Sequence, residues 1–310
     1  MLTILGITGP IFILIGLGFA ATRGGVLTKT ELRPLGAFVI NFAMPALLFR
    51  AMRQQAGEVL DLRLFAVYTL AALAVAALAI AYALFVRRLN LQRAGVLAMG
   101  VSISNSAYIG FPIAQPVIGA KASAMLAIYV CVESMIMLPL LMTVAELGGQ
   151  RQSAWWRVIA DIFGRLARNP MLLGILAGVL FAGLDLPVPL PASRAIDMLA
   201  SASGPVALFY IGGILAGLNL RSLSADIASV LAGKLILHPL VLLACFLLLP
   251  VGDPVLQNAA IVNAAMPMMS IYPIIGQKYG EEALCTATLV ATTVTSFFTI
   301  SGLLWLTGAA

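Results

Sequence analysis

Long apolar stretches separated by short polar connections run the whole length of the chain. They fall at 4–22, 34–52, 64–86, 94–118, 122–145, 170–186, 195–217, 226–249, 254–278 and 283–307. A helix needs roughly 20 residues, at ~1.5 Å each, to cross the ~30 Å hydrocarbon core of a bilayer. The pattern predicts an all-α polytopic membrane protein with ten transmembrane helices. It also repeats. Pro10, Gly18 and Pro45 return as Pro170, Gly178 and Pro205, each 160 residues later, and Pro116-Val-Ile-Gly-Ala-Lys121 is echoed 157 residues later by Pro273-Ile-Ile-Gly-Gln-Lys278. Five spans followed by five must enter the membrane from opposite sides, which predicts a 5+5 inverted repeat. The halves are 1–145 and 170–310, joined by a linker over 146–169. Inverted repeats are typical of secondary transporters, whose substrate sites lie near the midplane between the repeats.

Composition agrees with this class. Hydrophobic residues make up 62% of the 310 and charged residues only 10%, against roughly 25% charged in a soluble domain. The first stretch has no basic flank or cleavage site of a signal peptide, and is expected to be a retained span. The net charge of +6 does not point to nucleic acid once its placement is read. With the N-terminus outside, the inner side carries Arg23, Lys29, Arg33, Arg87, Arg88, Arg93, Arg151, Arg157, Arg165, Arg168, Arg221 and Lys278. The outer side carries only Arg50, Arg53, Arg63, Lys121 and Arg194. The positive-inside rule then sets both termini outside, in a cell membrane expected to be a bacterial inner membrane. Cys131, Cys245 and Cys285 all fall within spans, so no disulfide framework is implied.

The linker is expected to be an amphipathic helix on the cytoplasmic leaflet. Trp155, Ile159, Ile162, Phe163 and Leu166 share one face, and Arg157, Asp161, Arg165 and Arg168 the other. A plain connection across the inversion explains it better than a regulatory role.

The fourth stretch of each half carries the unusual chemistry. The first runs from Ser102 through Ser104, Asn105, Tyr108, Gly110 and Pro112 to Pro116; the second runs Asn263-Ala-Ala-Met-Pro267-Met-Met-Ser270-Ile-Tyr272-Pro273. Proline removes a backbone donor and clashes with the preceding turn, and glycine weakens the helix further. Non-helical backbone at membrane depth is tolerated where it lines a cavity or is buried in protein. Gly110, Pro112 and Pro267 are therefore expected to create two broken helices that cross at the midplane. Their half-helix N-termini would face an anion, and the amides of Asn105 and Asn263 would donate to a carboxylate. Tyr108 and Ser270 are the next candidates for the pocket. Simple kinks, with the asparagines bridging helices, are the competing reading.

These stretches resemble the auxin efflux carrier family, which includes plant auxin exporters and bacterial carriers of malate and malonate. The matching segments are Asn41-Phe-Ala-Met-Pro45-Ala-Leu-Leu-Phe49, Asn105 through Gly110-Phe-Pro112, Gly204 through Gly213, Lys234-Leu-Ile-Leu-His-Pro239, and Ala264-Ala-Met-Pro267. The resemblance implies a fold related to bile-acid sodium symporters, with a scaffold from helices 1, 2, 6 and 7 and a moving transport domain from helices 3–5 and 8–10. It also matches Pro112 and Pro267 to the family's crossover prolines. The long hydrophilic loop of many plant members is absent, and the residues around Met268-Met269-Ser270 need not match any one subfamily, so the substrate does not carry over.

Ionisable groups at membrane depth are costly unless paired or hydrated. Glu133 is central in the fifth stretch; Lys234 and His238 share a face of the eighth, one turn apart. If the two stretches adjoin, an acid–base cluster able to couple a proton would follow. For Lys234, snorkelling to the inner interface competes with that role, and for His238 a bond to a helix carbonyl freed by Pro239. Sodium coupling is the other option, with oxygen ligands from Ser102, Ser104, Asn105 and Glu133. An enzyme is not expected: there is one histidine, no His-Glu-x-x-His, and no nucleophile–base pairing. No cofactor is expected either. The expected function is alternating-access transport of a small organic anion. A sodium symporter of sterol-like anions and a non-transporting sensor or channel are the alternatives, and a homodimer is left open.

Overall fold

The structure is a computed structural model that describes residues 2–54, 61–149, 164, 167–216 and 225–306. Of the 146–169 linker, residues 150–163 and 165–166 lie outside the described residues, and with them most of the expected amphipathic helix. All regular structure among the described residues is helical. The helices are α1 (Leu2–Arg23), α2 (Thr30–Gln54), α3 (Leu62–Val86), α4 (Leu91–Ile118), α5 (Lys121–Leu147), α6 (Pro170–Gly183), α7 (Leu190–Ala216), α8 (Ala225–Leu248), the two pieces α9a (Pro254–Ala264) and α9b (Tyr272–Lys278), and α10 (Glu282–Leu306). Seven of them (α2, α3, α4, α5, α7, α8 and α10) are long and apolar enough to cross a membrane. Apolar side chains such as Ile13, Phe85, Leu176, Leu247 and Phe298 are exposed around the outside of the helices. In a soluble protein such a surface would be an aggregation hazard; here it is the face for lipid. The chain is a multi-pass membrane protein.

Helix starts follow local sequence. Thr28 and Glu31 form a reciprocal capping box that begins the second helix several residues before its apolar stretch. Asp61, Asn90, Asn169 and Asp253 cap α3, α4, α6 and α9a through their side-chain oxygens, each cap contributing about 1 kcal/mol.

Helix interiors are shaped by proline. Four of the five short π-helical segments among the described residues, Val39–Ala43, Ser106–Gly110, Val132–Met137 and Gly233–Leu237, each end two residues before a proline (Pro45, Pro112, Pro139 and Pro239); the fifth, Tyr82–Val86, does not. A proline ring clashes with the carbonyl four residues back and offers it no N–H. Widening that turn relieves the clash. Wide turns of this kind occur often at functional sites, and three of these four hold Ser106, Glu133 and Lys234.

The helices pack around two apolar cores. In one, α1 lies against α7, and α2 against α6 and α7. The contact surfaces are backbone to backbone: a Cβ added at Gly18 would lie 1.9 Å from the Phe209 carbonyl oxygen, and one at Gly178 would lie 2.7 Å from the Phe49 carbonyl oxygen. In the other, α3 packs on α4 and α8, α8 on α9a and α10, and α9b on α10. Helix α4 contributes to both cores, and 94% of its most apolar stretch is buried. It runs through the centre of the protein.

Ion pairs tie together the ends of the second group. Asp226, at the start of α8, accepts from Arg87 at 2.9 Å and Arg93 at 3.0 Å, Arg93 also reaches Glu281, and Lys278 pairs with Glu146. At the opposite end Lys121 donates to Asp253 at 2.6 Å and holds that carboxyl below its ordinary range.

Candidate functional site

Two helices lose their regular hydrogen bonding in mid-course, and the two gaps meet. In α4 the unwound residues are Ile103–Asn105, between Leu91–Ser102 and the wide turn Ser106–Gly110. In α9 they run from Ala265 to Ile271. The backbone N–H of Asn105 donates to the carbonyl of Pro267 at 2.7 Å, one gap satisfying a donor from the other. Unpaired backbone groups in an apolar interior are expensive, so neither gap can close independently of its partner. Pro267 lies within its gap. Pro112 does not: it stands in the first turn of the outgoing helix Phe111–Ile118, and its effect falls on the wide turn before it. Gly110 has a different task from loosening the helix, because a Cβ there would lie 2.3 Å from Asn263 Oδ1. Its missing side chain makes room for that amide.

A cavity of about 350 Å³ opens beside the meeting point. Asn105, Tyr108 and Ser270 line it, together with Ser104, Ser106, Glu133 and Ser134, and Asn169, Pro170 and Met171 at the start of α6 close one wall. Asn105 is the joint. Its Oδ1 accepts from the Tyr108 N–H at 3.3 Å, capping the wide turn, and its Nδ2 donates to Ser270 Oγ at 2.9 Å across the two gaps. Tyr108 extends away to donate to the Gly36 carbonyl on α2 at 3.3 Å.

Asn263 is not in this wall. It lies behind Ser106, with Nδ2 donating to Ser106 Oγ at 3.1 Å and approaching the Tyr68 hydroxyl at 3.4 Å. Both contacts lead to Glu133. Its Oε1 accepts from the Ser106 hydroxyl at 2.7 Å, the Tyr68 hydroxyl at 3.0 Å and the Ser104 N–H at 3.3 Å. Lys234 reaches the same place from α8, fully buried rather than extended to the interface, so the snorkelling reading fails. Its ammonium donates to Ser104 Oγ at 2.6 Å and lies 2.9 Å from His238 Nδ1. Ser104 therefore stands between acid and base, its N–H on Glu133 and its hydroxyl under Lys234. A charged Lys234 requires an unprotonated Nδ1 on His238, which places the imidazole proton on Nε2. Ser102 takes no part, since its hydroxyl donates to Ala98 in its own helix. Groups of three or more His, Cys, Asp or Glu suited to a metal ion are absent among the described residues.

Sequence reasoning missed Tyr68, Ser106 and the α6 start. Tyr68, fully buried in a mostly aliphatic stretch, was the signal available, because a buried tyrosine hydroxyl needs a partner.

A family model described as "Membrane transport protein" matches residues 5–304. A Rhizobium meliloti protein named "Putative malonate transporter" is 33% identical over 314 residues, covering 99% of this chain and 96% of that protein. The mouse "Lysosomal cholesterol signaling protein" is 26% identical over 272 residues, 83% of this chain but 31% of its own length. The Escherichia coli K12 "Uncharacterized transporter YfdV" is 25% identical over 274 residues, 84% of each. From this match across almost its whole length, the chain belongs to the membrane transport protein family, that of the auxin efflux carriers, and is a transporter rather than an enzyme.

Proposed function

We propose that the protein is a secondary transporter of small organic anions, mono- or dicarboxylates of the malonate type. It works by alternating access in a ten-helix, 5+5 inverted repeat, with both termini outside the bacterial inner membrane. The observation that carries this reading is the cavity at the meeting of the two gaps, where Asn105 and Ser270 face each other across the halves. A carboxylate inserted between them would accept from both the amide and the hydroxyl, replacing one neutral hydrogen bond by two to a charged acceptor.

Helix packing supports the repeat. Gly18 of α1 packs on Phe209 of α7, and Gly178 of α6 packs on Phe49 of α2. Each member of one pair is the other pair's counterpart at the 160-residue offset, as a two-fold relation between halves requires. In this reading α1, α2, α6 and α7 form the scaffold and α3–α5 with α8–α10 the moving unit; the packing of α1 on α7 and of α2 on α6 and α7 supports the first group, and that of α3 on α4 and α8 the second. A cavity of about 350 Å³ is at the small end of ligand sites, roughly 300–1,000 Å³. That size favours a short acid over a sterol-like anion, and the malonate-transporter name of the 33% identical relative points the same way.

Glu133 also lines the cavity. A second negative charge beside it is repelled unless a proton accompanies it, so proton-coupled movement fits the arrangement. Sodium fits it less well, because the Lys234 ammonium already occupies the Ser104 hydroxyl that Na⁺ would need.

The test is uptake of radiolabelled malonate and related acids by proteoliposomes, with and without Na⁺ and across pH. Asn105→Ala removes a donor and should weaken transport about tenfold. Asn105→Asp sets a carboxylate against the anion at about 4 Å, and should weaken it on the order of 100-fold. A tolerated Asn105→Asp with Na⁺-dependent uptake would reverse the proposal in favour of a sodium site.

A further inference from the structure

A second cavity, of about 400 Å³, lies farther along α4. Its walls come from Pro10 and Leu14 of α1, Leu47 and Arg50 of α2, the Pro112 and Gln115 region of α4, and Ala200, Ser203 and Pro205 of α7. Gln115 is ten residues beyond Asn105, about 15 Å along a helix. The second cavity thus lies away from the meeting point, between α4 and the packed helices α1, α2 and α7. The described lining of the first holds no lysine or arginine, whereas the second holds Arg50.

Arg50 has a partner that a ligand can replace. Its Nη1 lies 3.4 Å from Asp197 Oδ1 on α7, with the arginine 25% and the aspartate 48% exposed. Charge-assisted hydrogen bonds are ordinarily about 2.7–2.9 Å, so this contact is loose, and half-solvated pairs of this kind contribute little to stability. A carboxylate in the cavity can present both oxygens to the planar guanidinium, which suits paired contacts better than one distant oxygen does. Gln115 adds an amide donor in the same cavity, from the helix that carries Asn105.

We infer that this cavity is a second carboxylate-binding site, in which Arg50 exchanges Asp197 for the transported anion on its way to or from the crossover. The inference rests on the anion-transport reading above. It gives the chain two stations of unlike character: a cationic one that gathers the anion, and one of amide and hydroxyl groups beside Glu133 that can release it. An anion held too tightly at the crossover would not leave.

The experiment is equilibrium binding of malonate to purified, folded protein. Asn105→Asp disables the crossover station. The expected result is that this variant keeps a residual malonate site, weakened tenfold or more in Arg50→Gln/Asn105→Asp and largely kept in Arg50→Lys/Asn105→Asp. Asp197→Asn should tighten the residual site several-fold by removing the competing carboxylate. An Asn105→Asp protein that binds no malonate while the wild type does would overturn the second site and leave the crossover reading standing. Residual binding unaffected by Arg50→Gln would also overturn it. If Arg50→Gln does not fold, unchanged affinity in Asp197→Asn/Asn105→Asp would do the same. A wild-type protein that binds no carboxylate at all defeats both readings.

Discussion

Replacing Lys234 by methionine is expected to cost about 3–5 kcal/mol of stability, the range for breaking a buried charge pair by removing one partner. The ammonium is fully buried and held by Ser104 at 2.6 Å and His238 at 2.9 Å. Methionine fills most of the volume but leaves the Glu133 carboxylate, bound by three donors, without its countercharge. The double variant Glu133→Gln/Lys234→Met should recover more than half of the loss, because no net buried charge remains. Unfolding of detergent-solubilised protein, followed for the four members of the cycle, gives the coupling directly. A double variant whose loss equals the sum of the two single losses would show that the groups do not act through Ser104.

The second large effect belongs to the glycines of the α1–α7 and α2–α6 contacts. Gly18→Leu and Gly178→Leu should each prevent accumulation of folded protein. Ordinary overpacking costs about 1–3 kcal/mol because neighbouring side chains shift. Here the obstructing atoms are carbonyl oxygens of the facing helix, 1.9 Å from an added Cβ at Gly18 and 2.7 Å at Gly178, and only separation of the helices would make room. Gly16 is the internal control: a Cβ there meets nothing within 4 Å, so Gly16→Leu should fold normally. Comparing the yield of monodisperse protein for the three variants is sufficient. Equal yields would mean that the helices do not approach at these glycines.

Seven of the helices were legible because their apolar stretches are one bilayer thick, and several helix starts because Thr28, Asp61, Asn90, Asn169 and Asp253 are capping residues next to them. The cause of the gap in α4 was not legible. Pro112 was the visible helix breaker, yet the chain absorbs it in a wide turn and unwinds at Ile103–Asn105, where the Asn105 N–H finds the Pro267 carbonyl. That contact spans more than 150 residues and leaves no local trace. Asn105 and Ser270 could be picked out as polar residues inside spans and do share a cavity; Asn263 had the same sequence signal but faces Ser106 and Tyr68. Lys234 illustrates the same difficulty. Whether a lysine near a helix end extends to the interface or turns inward depends on whether an acceptor lies within reach. Its acceptor, Ser104, comes from a helix more than 100 residues earlier.

The most direct test of the account is the position of a bound carboxylate in an experimental structure determined with malonate. The expected density lies between the gaps of α4 and α9, with one carboxylate within hydrogen-bonding distance of Asn105 Nδ2 and Ser270 Oγ and no cation between them. Density confined to any other part of the protein, or a sodium ion coordinated by Asn105, Ser104 and Glu133, would contradict it.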